Sequence, residues 1–566
     1  MATTTNGTDQ PQGTPDTDTP HWRQLALKHR QHQLSLIPPE WQLKDIPSEA
    51  EARNAIPIVE QHLSKEELEI TALSQSLLSL QRAIRAKQYT AVQITKAFCH
   101  RAALLQQTSL CLTEIFFDSA LTTAKRQDEH YASTGQLLGP LHGIPISIKD
   151  NQDIKDVDST LGWVGLISKP AKSDSPAVEV IRQAGGILYC KTNIPQSMMM
   201  SDSYNHVYGQ SVNSLNRNLI SGGSSGGEAA LVRGGGSVVG IGTDIGGSVR
   251  IPATLQGLYG LSPSTGRVGN RESTRRDKYV VPPVAGPLAR DIDTLDAFVD
   301  VYLGQQPWLS DPGVLPIPWR KDIVESYSTA GRKLKIGYMT DDGVVRCQPP
   351  CVRAVDNTIS LLQSGGHEVV DWNPIAQKHH GRAYELWLKA VLADGGSRFQ
   401  ALCDLVPGGE PLIPGMLVGK PKDKLDTDGR MALYDEIYEF TRMYMGLWKD
   451  AGLDALIMPV TQYTGLRPKM WVEADMYVGY TSLCNLLNWT GLTVPAITVD
   501  RELDKPSEEW MAYQGRSFSD RYNHKGYAEN FEEFVGMPVG VQIVTGRLEE
   551  ERAVGIARVL ERLRTH

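Results

Sequence analysis

Residues 221–252 read SGGSSGGEAALVRGGGSVVGIGTDIGGSVRIP, and their composition sets them apart from the rest of the chain. Eleven of the 27 residues from Ser221 to Gly247 are glycine, whereas glycine averages about 7% of a soluble protein. Glycine weakens helices and strands, so this density requires a structural or chemical reason. A flexible linker is not that reason, because charged residues and an apolar strand at 238–241 lie between two Gly-Ser clusters.

Two kinds of chemistry use such a segment, phosphate binding and acyl transfer. Phosphate binding is disfavoured, because residues 221–252 contain no lysine for a P-loop and no G-x-G-x-x-G motif. In acyl transfer, glycines let backbone N–H groups approach a developing oxyanion, and serines supply the nucleophile and a proton relay. The run Ile245-Gly246-Gly247-Ser248 has the form that this chemistry expects.

A serine nucleophile also needs a base, which is usually a histidine. None of the 13 histidines falls within residues 207–366. A neutral lysine is the alternative, and Lys149 ends the apolar strand 144–148 in the sequence GIPISIKD. The end of an apolar strand desolvates the ammonium group and lowers its pKa from about 10.4 towards the working range.

With these segments the chain resembles the amidase signature enzymes. The resemblance rests on four motifs: GGSSGG at 222–227, G-x-G-x-D-x-G-x-S-V-R-x-P at 240–252, KTNIPQSM at 191–198 and PVGVQI at 538–543. It spans roughly residues 60–560, and the layout is most similar to fungal acetamidases and general amidases. The chain is also similar to fatty acid amide hydrolase, but without a membrane anchor. Arg233 departs from the family pattern at a place that is usually Gly, Ser or Ala, which affects local packing but not the chemistry.

The resemblance implies a Ser–Ser–Lys catalytic triad. Ser248 would be the nucleophile, and Ser224, following a cis peptide from Gly223, would bridge it to Lys149. Lys149 would draw the proton through Ser224 and then return it to the leaving amine.

The resemblance also implies the surroundings of this triad. The backbone N–H groups from Ile245 through Gly246 and Gly247 to Ser248 would form the oxyanion hole, and Ser225 would support the network. Asp244 and Arg250 are expected to be structural, and Met198 to Met200 are expected to line the acyl pocket or to pack. No cofactor and no metal are implied.

Strands and helices alternate over about 400 residues from residue 140 onwards, which predicts an α/β fold. We expect a mixed, largely parallel central sheet that helices cover on both faces, the amidase signature fold. The expected organisation is a disordered tail (1–20), an N-terminal helical region (21–110) and the amidase signature core (111–566), the last two forming one catalytic domain. One helix is expected from the capping box at Ser64 to residue 84. The Pro/Gly-rich stretches 407–425 and 501–537 are expected to be surface excursions.

Composition excludes several other classes. The net charge is −8, and the basic cluster at 271–278 is mixed with acids, so there is no electrostatic footprint for nucleic acid. No apolar run reaches the length of about 20 residues that a membrane span needs, and the polar first 20 residues are not a signal peptide. Seven scattered cysteines are typical of reduced packing residues, so we expect a cytoplasmic protein.

The predicted function is hydrolysis of a small-molecule amide through an acyl-serine intermediate, in nitrogen utilisation or secondary metabolism. Two alternatives stay open. Residues 222–226 also match the G-x-S-x-G elbow of an α/β-hydrolase esterase, with Ser224 as nucleophile and His367 or His524 as base. The other is a partner-dependent, amidotransferase-like subunit. The pocket is expected in loops 195–206 and 470–485, with Trp471, Tyr477 and Tyr480. A homodimer, common in such families, is compatible with the sequence.

Overall fold

The computed structural model of the protein describes residues 19–270, 280–470 and 476–565. Three features of the sequence interpretation therefore lie outside the described residues. They are the first 18 residues of the predicted tail, the basic cluster at 271–278 and Trp471.

An eleven-stranded sheet forms the centre of the described structure, and two further short strands pair with each other beside it. The strands are β1 (Leu112–Ile115), β2 (Pro145–Lys149), β3 (Ile187–Thr192), β4 (Tyr204–Asn205), β5 (Gly209–Gln210), β6 (Val239–Asp244), β7 (Tyr259–Ser262), β8 (Val284–Ala289), β9 (Lys335–Tyr338), β10 (Glu368–Asp371), β11 (Ala455–Pro459), β12 (Thr490–Thr498) and β13 (Pro538–Thr545). The order in the large sheet is β1-β3-β2-β6-β8-β7-β12-β13-β11-β9-β10.

The mixed α/β sheet is confirmed, but its predicted largely parallel character is wrong. Only the pairs β2–β3, β2–β6, β9–β10 and β9–β11 are parallel. The other six described pairings of the large sheet are antiparallel. The error has a physical cause. A strand covered on both faces has a continuous apolar sequence whatever the direction of its neighbours, so the pattern reports burial and not direction.

Helices flank the sheet. They are α1 (His21–Ser35), α2 (Ala55–Glu60), α3 (Lys65–Ile70), α4 (Leu77–Arg85), α5 (Ala91–Ser109), α6 (Phe117–Thr134), α7 (Pro176–Gln183), α8 (Gly226–Arg233), α9 (Arg250–Gln256), α10 (Ile292–Gly304), α11 (Lys321–Ser328), α12 (Pro349–Ser364), α13 (Asn373–Val391), α14 (Ser397–Cys403), α15 (Thr427–Ala451), α16 (Gly479–Leu487), α17 (Glu508–Ala512), α18 (Phe518–Phe534) and α19 (Glu550–Arg564). Among them, α8 packs on β2, β3 and β6, and α9 packs on β7, β12 and β13. No helix within the described residues combines the length and the hydropathy that crossing a membrane would require.

Two local predictions differ from the structure. The single helix expected from Ser64 to residue 84 is two helices, α3 and α4, because Ser76 forms a second capping box with Ser79 that starts a new helix. The stretch 501–537 is not a mere surface excursion, since it contains α17 and α18.

The N-terminal helices contact the sheet through buried polar bonds. His29 on α1 lies 3.1 Å from a carboxylate oxygen of Glu114 on β1, and Gln33 donates to the same carboxylate over 2.6 Å. A helix joined in this way to an edge strand of the sheet is part of the same packed body. The division of the chain at residue 110 stays a prediction.

Candidate active site

Two neighbouring parallel strands, β2 and β6, carry the first residues of the candidate site. Their register pairs Ser147 with Gly240 and Ile148 with Ile241. Lys149 is the last residue of β2, and Asp244 is the last residue of β6. Because parallel strands end at the same edge of a sheet, the lysine lies beside the loop that follows β6, residues 245–249. We call this loop the glycine loop.

Lys149 contacts Ser224 directly. The Nζ atom of Lys149 is hydrogen-bonded to the Oγ of Ser224 over 2.8 Å. It is also bonded to the Oγ1 of Thr243 over 2.9 Å, and its side chain is fully buried. Ser224 lies just before α8, and the Gly223–Ser224 peptide is cis. This geometry joins two of the three residues of the predicted triad.

Ser248 lies in the glycine loop beside the Ser224 turn, because its carbonyl oxygen accepts a hydrogen bond from the Ser225 N–H over 3.1 Å. The residue is partly exposed and lines a cavity together with Gly223. Within the described parts of the chain its hydroxyl makes no hydrogen bond. The structure thus links Lys149 to Ser224 side chain to side chain, whereas Ser248 is placed next to them by its backbone.

A buried ion pair fixes the glycine loop at both ends. The carboxylate of Asp244 pairs with the guanidinium of Arg250 over 3.0 Å, and both side chains are fully buried. The same carboxylate accepts the N–H groups of Gly247 and Val249 over 2.8 and 3.0 Å. Burial would raise the pKa of Asp244, but the charge and hydrogen bonds of Arg250 outweigh it and lower the pKa to about 2.

Replacing Asp244 with asparagine should unfold the protein more easily and slow turnover. The change leaves the Arg250 guanidinium buried without its counter-charge, which typically costs about 3–5 kcal/mol of the free energy of unfolding. Urea unfolding and steady-state kinetics on the same preparation measure both effects. A variant with the stability of the wild type would contradict the structural role of this pair.

The same pair makes stability depend on acid pH. The folded pKa of Asp244, about 2, lies below the ordinary value of 3.8, so its contribution is fully present above about pH 4. As the pH falls through 4 towards 2 the carboxylate is protonated, and a contribution of about 2 kcal/mol is lost. Between pH 4 and pH 2 the free energy of unfolding should therefore fall by about 2 kcal/mol more in the wild type than in Asp244→Asn. If the free energy of unfolding changed with pH in the same way in both proteins, Asp244 would not be a source of the pH dependence.

Carbonyl groups of the glycine loop are held from outside it. The Nε1–H of Trp387 donates to the carbonyl oxygen of Ile245 over 2.8 Å, and the hydroxyl of Thr481 donates to the carbonyl oxygen of Gly246. A carbonyl and the following N–H share one peptide plane, so these bonds also orient the N–H groups of Gly246 and Gly247. The N–H of Gly247 already donates to Asp244, whereas those of Ile245, Gly246 and Ser248 have no acceptor within the described residues and can bind a ligand.

The cavity at Ser248 measures about 300 Å³ including its opening. Its lining residues are mostly apolar: Met198, Met199, Met200, Ser201, Gly223, Ile245, Gly246, Ser248, Ile251, Trp387, Leu417, Met476 and Val478. Both predicted pocket loops therefore contribute to it. Tyr477 and Tyr480 do not, because their hydroxyls donate to Asp342 and to the carbonyl of Val345.

Sequence reasoning missed three lining residues, Ile251, Trp387 and Leu417. Leu417 lies in the stretch 407–425, which is therefore not the surface excursion that its Pro/Gly content predicted. Its N–H donates to the carbonyl of Met199 and ties this stretch to the cavity. Apolar residues in ordinary helices and loops carry no local signal that they line a pocket.

A second buried lysine shows why position and not burial identifies the base. Lys191 on β3 is fully buried, and desolvation lowers its pKa although nearby carboxylates oppose the shift. Its register partner on β2 is Ile148 and not Lys149, so it faces the opposite side of the sheet. Its Nζ donates to the carbonyl of Asp158 and to the hydroxyl of Ser159, both over 2.7 Å.

Glu228 on α8 is a buried carboxyl group close to the base. Burial raises its pKa to about 7, against hydrogen bonds from Ser147 and Thr192 and the charge of Lys149. A Cβ atom at Gly240 would lie 1.8 Å from one of its oxygens, so only glycine fits there. This contact accounts for one glycine of the 240–252 motif.

The departure from the family pattern at Arg233 falls on the last residue of α8, where the side chain is partly exposed. Burial of its guanidinium lowers its pKa. It is not among the described residues that line the cavity at Ser248.

The histidines of the esterase alternative lie elsewhere. His367 accepts the N–H of Leu334 at the start of β9, and His524 packs against Trp510. The hydroxyl of Ser224 is bonded to Lys149 instead, and Ser224 follows a loop and not a buried strand. The geometry therefore lacks the serine–histidine contact that this alternative requires.

One group of potential metal ligands occurs among the described residues, formed by His29, Glu114 and Asp158. Their ligand atoms already have protein partners. Glu114 accepts from His29, Gln33 and Tyr208, and Asp158 accepts the N–H of Ser168 over 2.6 Å. The group fits a structural network that attaches α1 to the sheet.

Comparisons with known proteins agree with one another. A family model described as Amidase matches residues 93–554. An acetamidase from Emericella nidulans is 35% identical over 562 residues, covering 96% of this chain and 98% of that protein. An acetamidase from Aspergillus oryzae is 33% identical over 562 residues, covering 96% and 99%.

Solved structures give the same result. A fatty acid amide hydrolase superposes with a TM-score of 0.87 at 31% identity, covering 96% of this chain and 95% of that one. A 6-aminohexanoate cyclic dimer hydrolase superposes with a TM-score of 0.69 at 21% identity, covering 87% and 97%. The second likeness shows a shared fold.

Proposed function

The chain belongs to the amidase family, and on that premise we propose that it hydrolyses a small, uncharged carboxylic amide through an acyl-enzyme formed on Ser248. Hydrolysis of amide bonds follows from the family. The mechanism rests on one observation, the 2.8 Å hydrogen bond between the buried Lys149 Nζ and the Ser224 hydroxyl beside the loop that carries Ser248. A buried lysine with a hydroxyl partner can serve as a general base when its amine is neutral.

Acylation begins with attack of the Ser248 Oγ on the amide carbonyl carbon. The Ser248 proton moves to the Ser224 oxygen, while the Ser224 proton moves to the neutral amine of Lys149. The carbonyl oxygen becomes an oxyanion, and the N–H groups of Ile245, Gly246 and Ser248 stabilise it. The carbon–nitrogen bond then breaks, and the leaving nitrogen takes a proton back along the same relay.

Deacylation repeats these steps with water as the nucleophile. Ser224 and Lys149 take one proton from the water as its oxygen bonds to the acyl carbon. The ester bond to Ser248 breaks, the serine recovers its proton, and the acid leaves. The net reaction is amide plus water to carboxylic acid plus ammonia or an amine, which exchange a proton in water to give carboxylate and ammonium, and no cofactor takes part in this sequence.

The cavity supports the proposed substrate class. Among the residues that the structure describes, those lining the cavity carry no charged side chain, and an unpaired charge on the acyl group would be buried there at a large cost. The space that a water-sized sphere can enter there measures only about 20 Å³, which favours a short acyl group. The names of two relatives, both acetamidases, make acetamide the first compound to test.

We expect the isolated chain to release ammonia from short aliphatic amides such as acetamide and propionamide, and to leave the charged analogue malonamate intact. Ammonia release by a coupled assay measures both. Turnover of esters with no turnover of any amide would favour the esterase alternative. Turnover that appears only after cellular partners are added would favour the amidotransferase-like one.

Location and assembly are further parts of the proposal. All seven cysteines are free and buried, which suits a reducing compartment such as the cytoplasm. The homodimer stays a prediction, and sedimentation of the purified chain tests it.

A further inference from the structure

Resting on the proposed function, we propose that Trp387 is the residue that sets how long an acyl group the site accepts. Trp387 belongs to α13, and the residue itself lies more than 130 positions beyond the glycine loop in the sequence. It lines the cavity together with Ser248, and its side chain is 2% exposed. The indole thus forms a wall of the space into which the acyl chain of a Ser248 ester extends.

Two contacts hold this wall rigid. The Nε1–H of Trp387 donates to the carbonyl oxygen of Ile245 over 2.8 Å. On the same helix, the Tyr384 ring stacks against the indole with centroids 5.9 Å apart and an interplanar angle of 21°. A ring fixed by a hydrogen bond at one edge and by a stacked partner does not turn aside for a longer substrate.

The Trp387 ring packs directly against the glycine loop. A Cβ atom at Gly246 would lie 2.4 Å from the Cζ2 atom of Trp387, so the ring and the loop backbone leave no room for another group between them. An acyl chain cannot pass on that side. The glycine at 246 is required because the indole occupies the place of a side chain.

The remaining walls are softer. Four of the lining residues are methionines, 198, 199, 200 and 476, and methionine adapts its unbranched side chain to the shape of a ligand. Of the lining residues within 19–270, 280–470 and 476–565, Trp387 is the largest and the one with an aromatic ring. The limit on chain length therefore comes from Trp387 and not from the methionines.

The test compares rates along a series of straight-chain primary amides from two to eight carbons. The wild type should lose kcat/KM steeply beyond a short chain, since one methylene group misfitted in an apolar pocket changes rates by about 10–200-fold. In Trp387→Ala the ratio of kcat/KM for hexanamide to that for acetamide should rise at least tenfold. Trp387→Phe keeps a smaller ring and should shift the ratio in the same direction by less.

A second buried tryptophan, next to the first residue of the same helix, provides the matched control. Trp372 lies just before α13, is 3% exposed, and donates its Nε1–H to Tyr444 over 2.9 Å away from the cavity. Trp372→Phe should leave the chain-length ratio at its wild-type value. The same shift in Trp372→Phe as in the Trp387 variants would overturn the proposal, because it would show a general loosening of α13.

A second measurement keeps the proposal testable if Trp387→Ala folds poorly. Alkyl fluorophosphonates of increasing chain length label an activated serine without turnover, and Trp387→Phe should gain labelling rate only with the longer probes. If a folded, active Trp387 variant kept the wild-type dependence of labelling rate on probe length, the proposed role of Trp387 would be refuted. A wild type that neither labels on Ser248 nor hydrolyses any amide would instead refute the function on which the wall depends.

Discussion

Replacing Ser248 with alanine is expected to lower kcat by about 10⁴-fold or more, with a folded protein remaining. The substitution removes the only atom that bonds to the substrate in the proposed mechanism. Since the Ser248 hydroxyl makes no hydrogen bond within the described chain, its loss leaves no partner unsatisfied. Steady-state ammonia release and thermal unfolding on the same sample measure activity and stability separately.

The matched control for this change is Ser237→Ala. Ser237 is a buried serine of the same glycine-rich segment, and its hydroxyl donates to the carbonyl of Val239 over 2.8 Å outside the cavity. It should lose some stability and keep its kcat. A Ser248→Ala protein that turns over at a rate near that of the wild type would rule out Ser248 as the nucleophile.

Replacing Lys149 with methionine should lower kcat by about 10³-fold, within the range of general acid–base catalysis. Methionine fills most of the volume of the lysine but accepts no proton, so Ser224 loses its base. Lys149→Arg should be impaired to a similar degree, because a guanidinium stays protonated in proteins. Equal losses in the two variants would show that catalysis needs a neutral amine at this position and not only a positive charge.

Lys191→Met is the matched control for this variant. Both lysines are fully buried at the ends of neighbouring strands, but Lys191 faces the other side of the sheet. We expect Lys191→Met to lower the free energy of unfolding, since its hydroxyl and carbonyl partners lose their donor. If it lost as much kcat as Lys149→Met, the assignment of the base would not stand.

The sequence was most informative where an unusual composition had a chemical cause. The glycines of 221–252, the missing histidines and the lysine at a strand end led to Ser248 and Lys149, and the resemblance to the amidase signature enzymes implied Ser224. The structure places these three at the shared edge of β2 and β6. Chemistry constrains residue type at such positions, and residue type is what a sequence displays.

Three features had no comparable local signal. Strand direction was mispredicted because burial of both faces leaves the same apolar pattern in parallel and antiparallel strands. The break between α3 and α4 depends on a Ser76–Ser79 capping box that the helical periodicity obscured. Trp387 and Leu417 reach the cavity from distant parts of the chain, and only the tertiary structure determines such contacts.

The most direct test of the mechanism is peptide mapping after treatment with a fluorophosphonate, which traps activated serines. We predict a single adduct on Ser248 in the wild type and none in Lys149→Met, with labelling retained in Lys191→Met. An adduct on Ser224, or the same labelling of Ser248 with and without Lys149, would contradict the Ser–Ser–Lys mechanism.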